Sequence, residues 1–142
     1  LIANSGADVR HGGSRAFYNT AGDFIRMPVR DAFQSDARYH ATALHELVHW
    51  TGAPHRLERE FGQRFGDNAY AVEELIAEMG SAFLCAQLGV TAEGEHQQHA
   101  EYLSAWLTVL RADSRAIVTA ASAARKAAEY VLQLSEEATE AA

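Results

Sequence analysis

Residues 45–49 read His-Glu-Leu-Val-His between the apolar neighbours Leu44 and Trp50, and no other stretch constrains the chain as tightly. At 3.6 residues per helical turn, His45 and His49 lie only about 40° apart around the axis, so both imidazoles reach one ion on the same side. Glu46 lies about 100° from His45, at the rim of that face. From there a carboxylate reaches a water on the ion without taking a coordination position. Two neutral imidazoles plus an adjacent carboxylate base are what metal-assisted hydrolysis needs. Leu44, Leu47, Val48 and Trp50 pack the helix into a core, where two histidines and a charged neighbour require partners. His45 and His49 are therefore expected to be metal ligands, and Glu46 the general base.

A catalytic zinc takes three protein ligands and keeps one position for water. The run Glu73-Glu-Leu-Ile-Ala-Glu78 offers the third. Glu74 and Glu78 are four apart and share a helix face. One can bind the metal while the other receives the N–H of a ligating histidine, which fixes its tautomer and basicity. Leu75, Ile76, Met79 and Phe83 mark this helix as largely buried. A group facing the base is needed to stabilise the oxyanion of a tetrahedral intermediate. Tyr70, one turn before Glu74, and His99 with Tyr102, spaced with His96 on one helix face, are the candidates.

The first thirty residues read as β. Ala16–Asn19 and Phe24–Val29 flank the turn Thr20-Ala-Gly-Asp23, and an earlier strand spans about Ala7–Arg10 before Gly12-Gly13. Ile25, Met27 and Val29 alternate with Phe24, Arg26 and Pro28, which predicts one buried face, with Pro28 at a strand end or an edge. An exposed edge of Phe24–Val29 is expected to align an extended substrate by strand addition. The rest reads as four helices. Ser35 caps one that runs to Thr51 and stops at Gly52; another spans 67/68 to Leu88, before Gly89. The third covers Glu95–Arg111. The fourth covers Ser114–Leu134, with Ile117, Ala121, Ala124, Ala128 and Val131 on one stripe. The pattern predicts one α+β domain over 1–142, with 135–142 a frayed acidic tail.

A net charge of −7 opposes binding to a phosphate backbone, unless Arg56, Arg59 and Arg64 form a local patch. No apolar run is long enough to span a bilayer, so no membrane partner is expected. Cys85 stands alone in the apolar run AFLCAQL and reads as a core residue, and a reducing, cytoplasmic setting is expected. The start at Leu1, with neither initiator Met nor signal peptide, predicts a piece of a longer protein.

HELVHWTGAPHRL followed by YAVEELIAEMGSAFLCAQLG resembles the zincin-like domain of ArdC-type antirestriction proteins, also carried by plasmid TraC-like primases. The likeness extends to GADVRHGGSRAFYN, IRMPVRDAF and QHAEYLSAWLTVL, nearly the whole chain. It implies a zincin-like metallopeptidase fold, a small sheet followed by about four helices, with one zinc ion. It further implies a polypeptide substrate or a host defence protein as partner, in the protection of incoming plasmid or phage DNA. Single-stranded DNA would be bound only by a separate N-terminal module. The broader glutamate-zincin pattern implies Glu74 as ligand and Glu78 as the acid behind a histidine, although Glu78 stands where several of those families have Asp. The competing expectation is a zinc-stabilised, catalytically silent module that docks to a host protein.

Overall fold

The structure, a computed structural model, describes residues 1–61, 68–91 and 100–141, except for the side chains of 100–105. Strands β1 (Asp8–His11), β2 (Phe17–Asn19) and β3 (Phe24–Met27) form a sheet in the order β1-β3-β2. β2 and β3 pair as a hairpin, Tyr18 opposite Ile25, while β1 runs parallel to β3 with Val9 opposite Ile25. A parallel pair needs a long connection, and here that connection contains β2. The Asn19 side chain closes the hairpin by accepting the Gly22 N–H at 2.7 Å.

Ile25 and Met27 are fully buried against the helices. The expected alternation ends with the strand: Pro28 is buried and Val29 is exposed, because the backbone leaves the sheet and enters a 3-10 turn at Arg30–Ala32. β3 is also the central strand, so it has no free edge. The strand-addition expectation fails for it because β1 occupies the side that the local sequence leaves open.

Four helices follow: α1 (Asp36–Thr51), α2 (Asn68–Leu88), α3 (Ala100–Ala112) and α4 (Ala116–Glu140). Ser35 caps α1 by accepting the Arg38 N–H at 3.2 Å. The last carbonyls of α1 are satisfied by the turn that follows: Gly52 N–H donates to His49 at 2.8 Å, Leu57 N–H to Thr51 at 2.9 Å and the Arg56 side chain to Trp50 at 2.6 Å. This stiffens the two turns that carry the histidines.

α2 crosses α1 at close range because residue 80 is glycine. A Cβ there would stand 2.9 Å from Val48 Cγ2 and 3.4 Å from the Ala124 carbonyl of α4. The buried face of α4 is Ala120, Ala124, Ala127, Ala128 and Val131, small residues that admit α1 and α2 closely. Ile117, expected on this stripe, is exposed, because the buried face begins at Ala120. The predicted frayed tail is helical to Glu140. Gln133 donates to Glu137 at 2.8 Å, and Asn4 of the N-terminal 3-10 turn donates to Thr139 at 3.3 Å, tying this end to the start of the chain. Residues 95–99, expected to begin the third helix, lie outside the described residues. Among the described residues no helix is long and apolar enough to cross a membrane.

Candidate metal centre

The last two turns of α1 and the first half of α2 face each other across one cleft. His45 and His49 both turn Nε2 into it, and those atoms are 3.2 Å apart. Glu74 approaches from α2, with Oε2 3.6 Å from His45 Nε2 and Oε1 3.4 Å from His49 Nε2. Bonds of about 2.1 Å in a tetrahedral site separate neighbouring donors by roughly 3.4 Å. A Glu74 oxygen thus stands near that spacing from each Nε2, and among the described residues His45, His49 and Glu74 form a group able to hold one metal ion, with one ligand atom from each lying within 4.8 Å of the others. The donor set, two imidazoles and a carboxylate, suits zinc and other divalent first-row ions.

Each imidazole has an acid behind it. His49 Nδ1–H donates to Glu73 Oε1 at 3.0 Å, and both residues are buried. His45 Nδ1 lies 3.8 Å from Glu78 Oε1, within ion-pair range but beyond a hydrogen bond. The hydrogen bond expected at Glu78 is made instead by Glu73, and Glu78 stands farther off, behind His45. Sequence reasoning passed over Glu73. The available signal was its spacing from Ala77 and Gly80, at i+4 and i+7, small residues that mark the side of α2 closest to α1.

Burial opposes charge on His49, but the hydrogen-bonding carboxylates of Glu73 and Glu74, with the nearby charge of Glu46, outweigh it and raise its pKa to about 10. Burial likewise opposes charge on Glu74, and its contacts with His45 and His49 overcome this and hold it far below the usual carboxylate range. Glu73 is depressed too: burial works against its charge, and Arg59 and His49 more than compensate. An ion binding His49 must displace this proton, so metal and protons compete for the site.

The cleft measures about 350 Å³ and is lined by the three donors together with Glu46, Tyr70 and residues of β2, including Phe17 and Tyr18. Glu46 is buried at 8% exposure yet reaches this lining, the rim position that helical geometry predicts. Tyr70 is in the cleft as well. His99, and the side chain of Tyr102, lie outside the described residues. The exception raised for nucleic-acid binding, a patch of Arg56, Arg59 and Arg64, does not arise from its described members. Arg56 pairs with Asp23 and lies over the Trp50 ring at 3.9 Å, and Arg59 is bound to Glu73, so both are committed internally; Arg64 lies outside the described residues.

The model of the zincin-like metallopeptidase family matches residues 1–123. The chain belongs to that family. Protein y4eC of Sinorhizobium fredii is 45% identical to this zincin-like chain over 131 residues, covering 92% of it and 42% of y4eC. DNA primase TraC of Escherichia coli is 43% identical over 148 residues, covering 100% of this chain and 14% of the primase. The chain therefore spans less than half the length of these relatives. The Mn(II)-bound crystal structure of antirestriction protein ArdC from plasmid R388 superposes with a TM-score of 0.86 at 44% identity, over 94% of this chain and 50% of that one. Its metal-free form gives 0.84 at 43% identity, over 96% and 49%. The fold is that of the ArdC zincin-like domain, α+β with a three-stranded sheet followed by four helices.

Proposed function

We propose that this domain is a divalent-metal hydrolase of peptide bonds, with His45, His49 and Glu74 as ligands and Glu46 as general base. The observation that carries this reading is the convergence of three donors, within 4.8 Å of one another, in a cleft that Glu46 also lines. Zinc is the proposed ion, because two histidines and a glutamate with an open position are a common catalytic zinc set. The related ArdC structure holds Mn(II), so both ions belong in the tests. When bound, such an ion polarises a carbonyl and acidifies a water.

The chain's own residues supply the rest. Glu46 takes the proton from the attacking water and returns it to the leaving amine. Tyr70, one turn before Glu74, stabilises the developing oxyanion from the cleft wall. β2 pairs with β3 alone among the described strands, and its residues line the cleft, so the free edge of β2 receives an extended polypeptide as an added strand.

The biological role in this reading is antirestriction: protection of incoming plasmid or phage DNA in the recipient cytoplasm, through cleavage of a polypeptide substrate or a host defence protein. The −7 charge and the internal commitment of Arg56 and Arg59 agree with leaving single-stranded DNA to a separate module. The test is incubation of zinc- or Mn(II)-loaded protein with an unfolded polypeptide, with fragments read by mass spectrometry. Cleavage abolished by chelator and restored by metal is expected. Metal bound without any cleavage would leave the catalytically silent docking module as the better account.

A further inference from the structure

A metal-binding imidazole is oriented by whatever takes its second N–H. At His49 that group is Glu73, and Glu73 is in turn held by a residue outside both helices. Arg59, from the turn after α1, donates from Nε to Glu73 Oε2 at 2.9 Å and from Nη2 to Oε1 at 2.8 Å, a bidentate fork. The same guanidinium donates to the Val48 carbonyl at 2.7 Å and to Thr51 Oγ1 at 2.8 Å. Val48 and Thr51 flank His49 on α1. One side chain thus grips the ligand's helix and the ligand's carboxylate together.

Gly52 makes room for this grip. A Cβ there would stand 2.8 Å from Arg59 Nη2 and 2.7 Å from Phe61 Cζ. Its φ of −80° is ordinary for any residue, so the glycine is required by space and not by conformation. At His45 the acid stands farther off, with Nδ1 3.8 Å from Glu78 Oε1.

We propose that Arg59 and Glu73 are a positioning couple for His49. Arg59 fixes Glu73, Glu73 fixes the imidazole with Nε2 turned into the site, and metal affinity depends on the turn after α1 as well as on the ligands. This inference rests on the reading of His45, His49 and Glu74 as a metal site. The alternative role is a staple between α1 and α2, and a buried ion pair of that kind contributes little net stability. The two roles differ in their readout. Loss of a staple lowers Tm equally with and without metal, whereas loss of a positioning couple lowers metal affinity and shrinks the rise in Tm that metal produces.

The experiment compares the parent protein with Gly52→Ala, Arg59→Lys and Glu73→Gln. Kd for zinc and for Mn(II) is measured by chelator competition, and Tm with and without each ion. Gly52→Ala leaves every charge and every ligand in place and presses on the guanidinium and Phe61, the groups nearest its Cβ. Gly52→Ala and Glu73→Gln are expected to weaken metal binding by about 10–100-fold, the usual effect of losing an outer partner. Arg59→Lys, which keeps the charge without the fork, falls between them and the parent. Should Glu73→Gln fail to fold, because it leaves a buried guanidinium without its anion, the other two variants carry the test. Folded variants that bind both ions within twofold of the parent, with Tm lowered equally in both states, overturn this inference and leave the metal site standing. A parent protein that binds neither ion removes the site and this inference together.

Discussion

α2 is buried on two sides, and the two are held differently. Toward α4 it meets a face of Ala120, Ala124, Ala127, Ala128 and Val131, where packing and the removal of apolar surface from water supply the attraction. Toward the end of α1 it meets Glu46 and His49 with its own Glu73 and Glu74, all buried. There the cost of desolvation is offset by charge-assisted hydrogen bonds and by Arg59. Gly80 touches both regions, since a Cβ would press on Val48 and approach the Ala124 carbonyl. The small residues set how far apart the helices lie, and the polar network sets where the imidazoles point. A variant in one region should therefore change stability, and a variant in the other should change metal affinity.

The largest expected effect separates the two at once. His49→Ala removes a donor and should leave no stoichiometric metal after dialysis, read by elemental analysis, while a folded circular dichroism spectrum persists. Tight binding by His49→Ala would dissolve the distinction. Ala124→Leu tests the other side: overpacking a filled contact should cost about 1–3 kcal/mol in denaturant unfolding, with metal Kd within about twofold of the parent. A large loss of affinity there would mean that the alanine face sets the site's geometry directly.

A smaller effect belongs to the hairpin. Asp23 is held at a pKa of about 2, down from 3.8, chiefly by its hydrogen bonds from Arg56, which outweigh burial, with help from the Tyr18 hydroxyl. Its folded pKa is depressed, so its contribution is present above about pH 4 and is lost as pH falls through about 2. Asp23→Asn should lower Tm at neutral pH and flatten the decline of Tm between those values. An unchanged acid limb would exclude this pair as its source. Smallest of all, Thr139→Ala removes an exposed hydrogen bond to Asn4 and should cost under about 0.5 kcal/mol.

The parts legible in the sequence were those set by local geometry. Ser35, the stop at Gly52 and the turn before Asp23 follow from capping and turn chemistry, and the His45–His49 spacing puts two rings on one side of any helix. What stayed hidden was set by distant contacts. Nothing in Asp8–His11 says that it pairs with β3 and so makes β3 central. The acidic C-terminus is helical to Glu140 and meets the N-terminal turn, over a hundred residues away in sequence. Glu73 and Glu74 are adjacent in sequence yet about 100° apart around α2, so only the packing against α1 and the approach of Arg59 divide their roles.

The central claim, that Glu46 acts as base beside a metal held by His45, His49 and Glu74, is tested most directly by Glu46→Gln. The variant keeps size and hydrogen bonding but cannot accept the water's proton. Metal content and Tm should match the parent within error, while hydrolysis of a susceptible unfolded protein, and protection of incoming DNA by the full-length protein, fall by orders of magnitude. If Glu46→Gln protects incoming DNA as well as the parent, general-base catalysis is not how the domain acts, and its metal site serves only as scaffold.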